Sequence, residues 1–179
     1  MKISKDFFKE NAANFITFCN MLCGALSILF TIDGKYRTAM AFIVFASIAD
    51  RYDGRVARKF KQSSAMGVQM DSMGDIISFG IAPALLSYMI VFDKLEGTFK
   101  LLGAAATAIY IVAGALRLAR FNVIGMDDDN CFHGLPIPVC GLLLVGFLFL
   151  KLKFSPIFYF VLMVLLGLLM LSNIRVKKR

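Results

Sequence analysis

The chain alternates long apolar runs with short polar stretches. Six apolar runs are apparent, at residues 15–32, 39–49, 76–92, 101–116, 135–150 and 157–171. Most of them have 15 to 18 residues, near the lower limit for a helix that crosses a hydrocarbon core of roughly 30 Å. The pattern predicts an all-α integral membrane protein with six transmembrane helices.

The second run is too short to cross a membrane unaided. Its 11 residues extend only about 16 Å as a helix. We therefore predict that this helix continues through Lys59 and carries Asp50 into a hydrated cavity. A carboxylate that faced lipid directly would be excluded from the bilayer.

The distribution of basic residues indicates how the chain is oriented. The first ten residues mix lysines with Phe7 and Phe8, which is typical of a short amphipathic interfacial helix that precedes the first span. Of the 20 Lys and Arg residues, 14 lie at the two termini and in the loops after the second and fourth helices. The positive-inside rule therefore predicts a cell-membrane protein with both termini and the segment after Asp50 on the cytoplasmic side. No interdomain linker is apparent, so residues 1–179 are predicted to form a single domain.

Composition agrees with a membrane protein. Hydrophobic residues make up 59% of the chain, against about 45–50% in soluble domains. The net charge of +8 indicates attraction to anionic membrane lipids and not to nucleic acid.

Four aspartates occur as two closely spaced pairs. Asp50 and Asp53 are three residues apart, and Asp71 and Asp75 are four apart, so each pair lies on one helical face. Small residues accompany both pairs and would let a nucleotide or diphosphate approach the backbone: Gly54, Ala57 and Gly67. Two divalent cations would neutralise the four carboxylates. Hard oxygen ligands suit Mg²⁺ or Mn²⁺, and Ca²⁺ can occupy similar sites with looser geometry. The alternative is that these acids only pair with neighbouring Arg and Lys at a membrane edge.

This segment resembles the pattern of the CDP-alcohol phosphotransferase family. The family pattern is D-x-x-D-G-x-x-A-R, eight residues, then G-x-x-x-D-x-x-x-D. All eight fixed positions are matched here: Asp50, Asp53, Gly54, Ala57, Arg58, Gly67, Asp71 and Asp75. The six-helix membrane fold of that family also agrees with the number of apolar runs.

The resemblance implies roles for the matched residues. The four aspartates are expected to hold two metal ions that bind the CDP diphosphate, with Asp75 as the general base. The remaining matched positions are expected to bind the CDP-lipid, together with Asn14 and Thr17 of the opening helix. A homodimer is implied by the family alone.

Three further stretches resemble the phosphatidylserine synthase branch of the family. They contain Ser78, the pair Arg117 and Arg120 with Asn122, and the sequence Gly134-Leu-Pro-Ile-Pro138. An arginine fork binds carboxylate or phosphate, so we expect Ser78, Asn122 and one of the two arginines to bind L-serine. The alternative is that both arginines extend to lipid headgroups.

The expected activity is transfer of a phosphatidyl group from CDP-diacylglycerol, or from the archaeal CDP-archaeol, to L-serine. Two other functions stay open at this point. The same fold could use a different acceptor, such as glycerol 3-phosphate or inositol phosphate. The aspartates could also line the path of a divalent-cation transporter.

Overall fold

The computed structural model describes residues 3–60, 65–124, 131–150, 155–172 and 175–177, and the side chains of 15–52, 66–123, 134–150 and 155–172. Each of the six predicted apolar runs is helical over most of its length. The helices are α1 (Ile3–Ile32), α2 (Tyr36–Phe60), α3 (Ala65–Asp75), α4 (Ala82–Val91), α5 (Thr98–Ile124), α6 (Ile137–Phe149) and α7 (Pro156–Leu171). A π-helical segment, Ile76–Ile81, joins α3 to α4 without a break.

Within the described residues, three helical stretches are long and apolar enough to cross a membrane: Phe15–Ile32, Met66–Val91 and Thr98–Val123. Helices α6 and α7 are apolar but shorter. Helix α2 continues to Phe60, which confirms the predicted extension beyond Asp50. Helix α1 begins at Ile3 and runs unbroken into the first apolar run, so the structure does not distinguish a separate interfacial helix.

Helices α1 and α2 form an antiparallel hairpin. Gly34, whose φ is +73°, lies in the turn between them, a left-handed conformation that glycine adopts without steric cost. Across the hairpin, the Ser27 hydroxyl donates to the Ala39 carbonyl at 2.9 Å. Helix α1 also packs along α3, the π-helical segment and α4, so it lies between the two helices that carry the aspartates.

The π-helical segment lies at the centre of the helical packing, in contact with α1, α2, α5 and α6. In an α-helix the Phe79 carbonyl would accept from the N–H of residue 83, but that residue is Pro83, which has none. The hydroxyl of Tyr110 on α5 donates to this carbonyl instead, at 3.1 Å. From α6, Gly141 packs so closely that a Cβ there would lie 2.9 Å from the same oxygen.

A short strand pair adds to the helical fold. Strands β1 (Cys131–His133) and β2 (Arg175–Lys177) pair antiparallel, with Phe132 opposite Val176. The predicted all-α class describes the fold, and apolar periodicity gave no indication of this pair because each strand has only three residues.

Candidate metal centre

Three aspartates from two helices converge on one point. Asp50 extends from α2, and Asp71 and Asp75 extend from α3. One carboxylate oxygen from each lies within 4.8 Å of the other two. The spacing of four residues places Asp71 and Asp75 on one face of α3, and the packing of α1 against both α2 and α3 brings Asp50 to that face.

The environment of these carboxylates fits a divalent cation. Asp75 is 8% exposed, and its Oδ1 atom has no hydrogen-bond partner. A buried carboxylate oxygen without a hydrogen-bond partner is unfavourable, and the neighbouring carboxylates add repulsion. A cation removes both penalties, and carboxylate oxygens are the ligands that Mg²⁺, Mn²⁺ and Ca²⁺ prefer.

The other residues expected to bind metal or CDP-lipid belong to α1, α2 and α3. Gly67 lies on α3, one turn before Asp71, and Thr17 is buried on α1. Four more belong to α2 by their backbone and one to α1, but their side chains lie outside the described residues: Asp53, Gly54, Ala57, Arg58 and Asn14.

The two candidate arginines on α5 differ in their surroundings. Arg117 is 9% exposed, its Nε atom has no hydrogen-bond partner, and its charge acts on Asp75. Its guanidinium lies 5.9 Å from the centre of the Phe121 ring. Arg120 is exposed. The alternative, in which an arginine side chain reaches the lipid headgroups, therefore agrees with the exposure of Arg120 but not with the burial of Arg117.

Ser78 and Asn122 brace the helices around the centre. The Ser78 hydroxyl donates to the backbone carbonyl of Asn20 on α1, at 2.9 Å. The Asn122 amide donates to the hydroxyl of Ser72, at 3.0 Å, and thereby joins α5 to α3. A direct contact of either residue with an acceptor stays a prediction.

Asn20 is a buried polar residue beside Asp75 that the sequence analysis did not single out. Asn20 is fully buried on α1, and both its Oδ1 and Nδ2 atoms lack hydrogen-bond partners. Its Nδ2 lies 3.4 Å from the position that a Cβ on Gly74 would occupy, and Gly74 directly precedes Asp75. The sequence feature that could have identified it is an amide side chain within an apolar, membrane-spanning run. Polar residues are energetically costly there and are commonly functional.

Comparison with known proteins agrees with the geometry. The family model for CDP-alcohol phosphatidyltransferase matches residues 10–175. A CDP-diacylglycerol–serine O-phosphatidyltransferase from Helicobacter pylori is 36% identical over 169 residues, covering 90% of this chain and 70% of the relative. One from Methanocaldococcus jannaschii is 38% identical over 166 residues, covering 93% and 73%. An archaetidylserine synthase from Methanothermobacter thermautotrophicus is 36% identical over 161 residues, covering 89% and 66%. The resemblance drawn from the aspartate motif is confirmed, and the chain belongs to the CDP-alcohol phosphatidyltransferase family.

Proposed function

We propose that this chain is a CDP-diacylglycerol–serine O-phosphatidyltransferase, an enzyme of phospholipid biosynthesis. It transfers the phosphatidyl group of CDP-diacylglycerol, or the corresponding group of CDP-archaeol, to the hydroxyl of L-serine and releases CMP. The observation that carries the proposal is the convergence of three carboxylate oxygens within 4.8 Å in a membrane protein of this family. The names of the relatives supply the acceptor and the lipid.

Asp50, Asp53, Asp71 and Asp75 are the proposed ligands of two divalent ions, Mg²⁺ or Mn²⁺, with Ca²⁺ able to take the same site. When bound, such ions neutralise the diphosphate and stabilise the attacking and leaving oxygens of a displacement at phosphorus. Without them, the carboxylates would repel the diphosphate of the donor lipid.

The proposed reaction is one in-line displacement. The serine hydroxyl oxygen forms a bond to the lipid-linked phosphorus as the bond from that phosphorus to the oxygen of CMP breaks. The proton of the hydroxyl passes to the carboxylate of Asp75. Burial of Asp75 excludes bulk water, which is a competing nucleophile.

The donor lipid is proposed to bind beside the metal ligands. Gly54, Ala57 and Gly67 leave space for the nucleotide, because none carries a bulky side chain. Arg58 would bind a phosphate oxygen. Asn14 and Thr17, which belong to α1, would also contact the CDP group.

Arg117 is the better of the two arginines for binding the serine carboxylate. It is buried beside Asp75, whereas Arg120, three residues later on the same helix, is exposed. Ser78 and Asn122 would support this pocket through the helix contacts that they already make.

The membrane arrangement belongs to the same proposal. The chain is a single domain over residues 1–179, with six transmembrane helices, an interfacial segment before the first, and both termini and the active site in the cytoplasm. It forms a homodimer. The three long apolar helices support the membrane-spanning fold, and the excess of basic residues at the termini and in the loops after the second and fourth helices supports the orientation. The homodimer is implied by the family alone.

The test uses purified protein with CDP-diacylglycerol, Mg²⁺ or Mn²⁺, and a panel of acceptors comprising L-serine, glycerol 3-phosphate and inositol phosphate. Of these acceptors, we expect only L-serine to give CMP release and a lipid product, which is phosphatidylserine. Asp75→Asn should abolish turnover while CDP-lipid binding is retained. Asp93→Asn is the matched control, because Asp93 pairs with Lys100 beyond the opposite end of the rod formed by α3 and α4.

Each rival function has its own readout in this test. A phosphorylated product with glycerol 3-phosphate or inositol phosphate would assign a different acceptor. Divalent-cation flux into liposomes without any lipid product would assign transport. Equal CMP release by Asp75→Asn and wild type would remove Asp75 from the role of base.

A further inference from the structure

Three buried polar groups near the metal centre have no hydrogen-bond partner. They are the amide of Asn20 on α1, the Oδ1 atom of Asp75 on α3 and the Nε atom of Arg117 on α5. Each is at most 9% exposed. Buried polar groups are nearly always hydrogen-bonded, because leaving one unpaired is costly. Three such groups from three helices indicate a polar ligand.

The backbone of α1 at Asn20 packs closely against the rod that carries Asp75. The backbone carbonyl of Asn20 accepts the Ser78 hydroxyl at 2.9 Å. One turn along α1, a Cβ on Gly24 would lie 2.8 Å from the Cα atom of Ser78. Nδ2 of Asn20 rests against Gly74, the residue before Asp75. The backbone of α1 is therefore fixed against the rod that carries Asp75, and the Asn20 amide lies against the residue before this aspartate.

The chemistry of the three groups matches an amino acid that carries a hydroxyl. A guanidinium binds a carboxylate, and a carboxylate base accepts a proton from a hydroxyl. An amide oxygen accepts hydrogen bonds from an ammonium group. A neutral amide does so without adding negative charge to a site that already contains several carboxylates.

We propose that Asn20 determines the specificity for the acceptor by binding the ammonium group of serine through its amide oxygen. This inference rests on the proposed function, because it names a contact of the same acceptor. It assigns the recognition of the amino group to α1, while Arg117 on α5 recognises the carboxylate. An acceptor without an amino group gains nothing from Asn20.

The experiment compares L-serine with 3-hydroxypropanoate, which is serine without its amino group, in wild type and Asn20→Ala. The variant should raise KM for serine about tenfold or more, as expected for loss of a hydrogen bond to a charged group. KM for 3-hydroxypropanoate and the affinity for CDP-diacylglycerol, measured by titration calorimetry, should stay within about twofold of wild type. The preference for serine should fall accordingly. A purely structural defect would weaken both acceptors alike.

Thr31→Val is the matched control. Thr31 is fully buried on the same helix, but its hydroxyl already donates to the Ser27 carbonyl at 2.8 Å, so the serine preference should be unchanged. If Asn20→Ala does not fold, Asn20→Ser replaces it. An unchanged preference in the folded variant, or a raised Mg²⁺ requirement with unchanged preference, overturns the proposal. Failure of wild type to use serine at all overturns the proposed function instead.

Discussion

Replacing Gly141 by alanine tests how closely α6 packs against the π-helical segment that follows Asp75. A Cβ at this position would lie 2.9 Å from the carbonyl oxygen of Phe79 and 3.1 Å from its Cα atom. Backbone atoms cannot rotate away, so α6 must shift from the π-helical segment. Gly146, on the same helix, has no atom within 4 Å of its Cβ position, and Gly146→Ala is the matched control.

The expected magnitude follows from the two contacts that the new methyl group disturbs. Overpacking costs about 1–3 kcal/mol. The Phe79 oxygen also accepts the hydroxyl of Tyr110 at 3.1 Å, and loss of that bond costs about 0.5–1.5 kcal/mol. The helix-propensity gain of alanine over glycine, about 1 kcal/mol, is common to both variants and cancels. We expect Gly141→Ala to be less stable than Gly146→Ala by about 2 kcal/mol or more.

The assay is reversible unfolding of the detergent-solubilised protein in increasing denaturing detergent, monitored by far-ultraviolet circular dichroism. Tyr110→Phe is then introduced into wild type and into Gly141→Ala. If alanine already weakens the Tyr110 bond, the second substitution should cost less in the variant than in wild type. Equal stability of the two glycine variants, with additive effects of Tyr110→Phe, would refute the argument that α6 contacts the backbone of this segment.

Three further outcomes are expected. Asp71→Ala should raise the Mg²⁺ concentration for half-maximal CMP release at least about tenfold, since one anionic ligand is lost, whereas Asp93→Ala should not; equal metal titrations would remove Asp71 from the site. A chelator should abolish CMP release, and added Mn²⁺ should restore it; activity that survives complete chelation contradicts the metal requirement. Gly134→Ala should lower the unfolding midpoint more than Gly34→Ala, because both have positive φ but only at Gly134 would a Cβ overlap the Met170 carbonyl; thermal scans that place both midpoints together would contradict the contact.

The positions of the helices were predictable because apolar length and periodicity are local properties of the chain. The extension of α2 past Asp50 could be predicted because its first 11 apolar residues are too short to cross a bilayer. The convergence of Asp71 and Asp75 on one face followed from their spacing of four. Both depend only on helix geometry, which the sequence specifies directly.

Contacts between helices were harder to predict from the sequence. The approach of Asp50 to the α3 pair was expected from charge and from the family resemblance, and the structure confirms it for three of the four aspartates. The difference between Arg117 and Arg120 was not predictable, because a separation of three residues places both near one face and only the packing of α5 decides which is buried. The burial of Asn20 was not predictable, because a single neutral amide in an apolar run does not indicate which side of the helix is packed.

The π-helical segment has a cause that can be found in the sequence. Pro83 removes the N–H that an α-helix would offer to the carbonyl of Phe79, within an otherwise continuous apolar run. The wider turn and the hydroxyl of Tyr110 accommodate that carbonyl. Because the segment begins directly after Asp75, the direction in which successive side chains point changes between the clustered carboxylates and the buried core. In an uninterrupted α-helix, the direction of the carboxylates would fix the direction of the core side chains that follow them. The rod can therefore present its carboxylates to α2 while burying Phe79 between α5 and α6, and the position of Asp75 depends on core packing around a single carbonyl group.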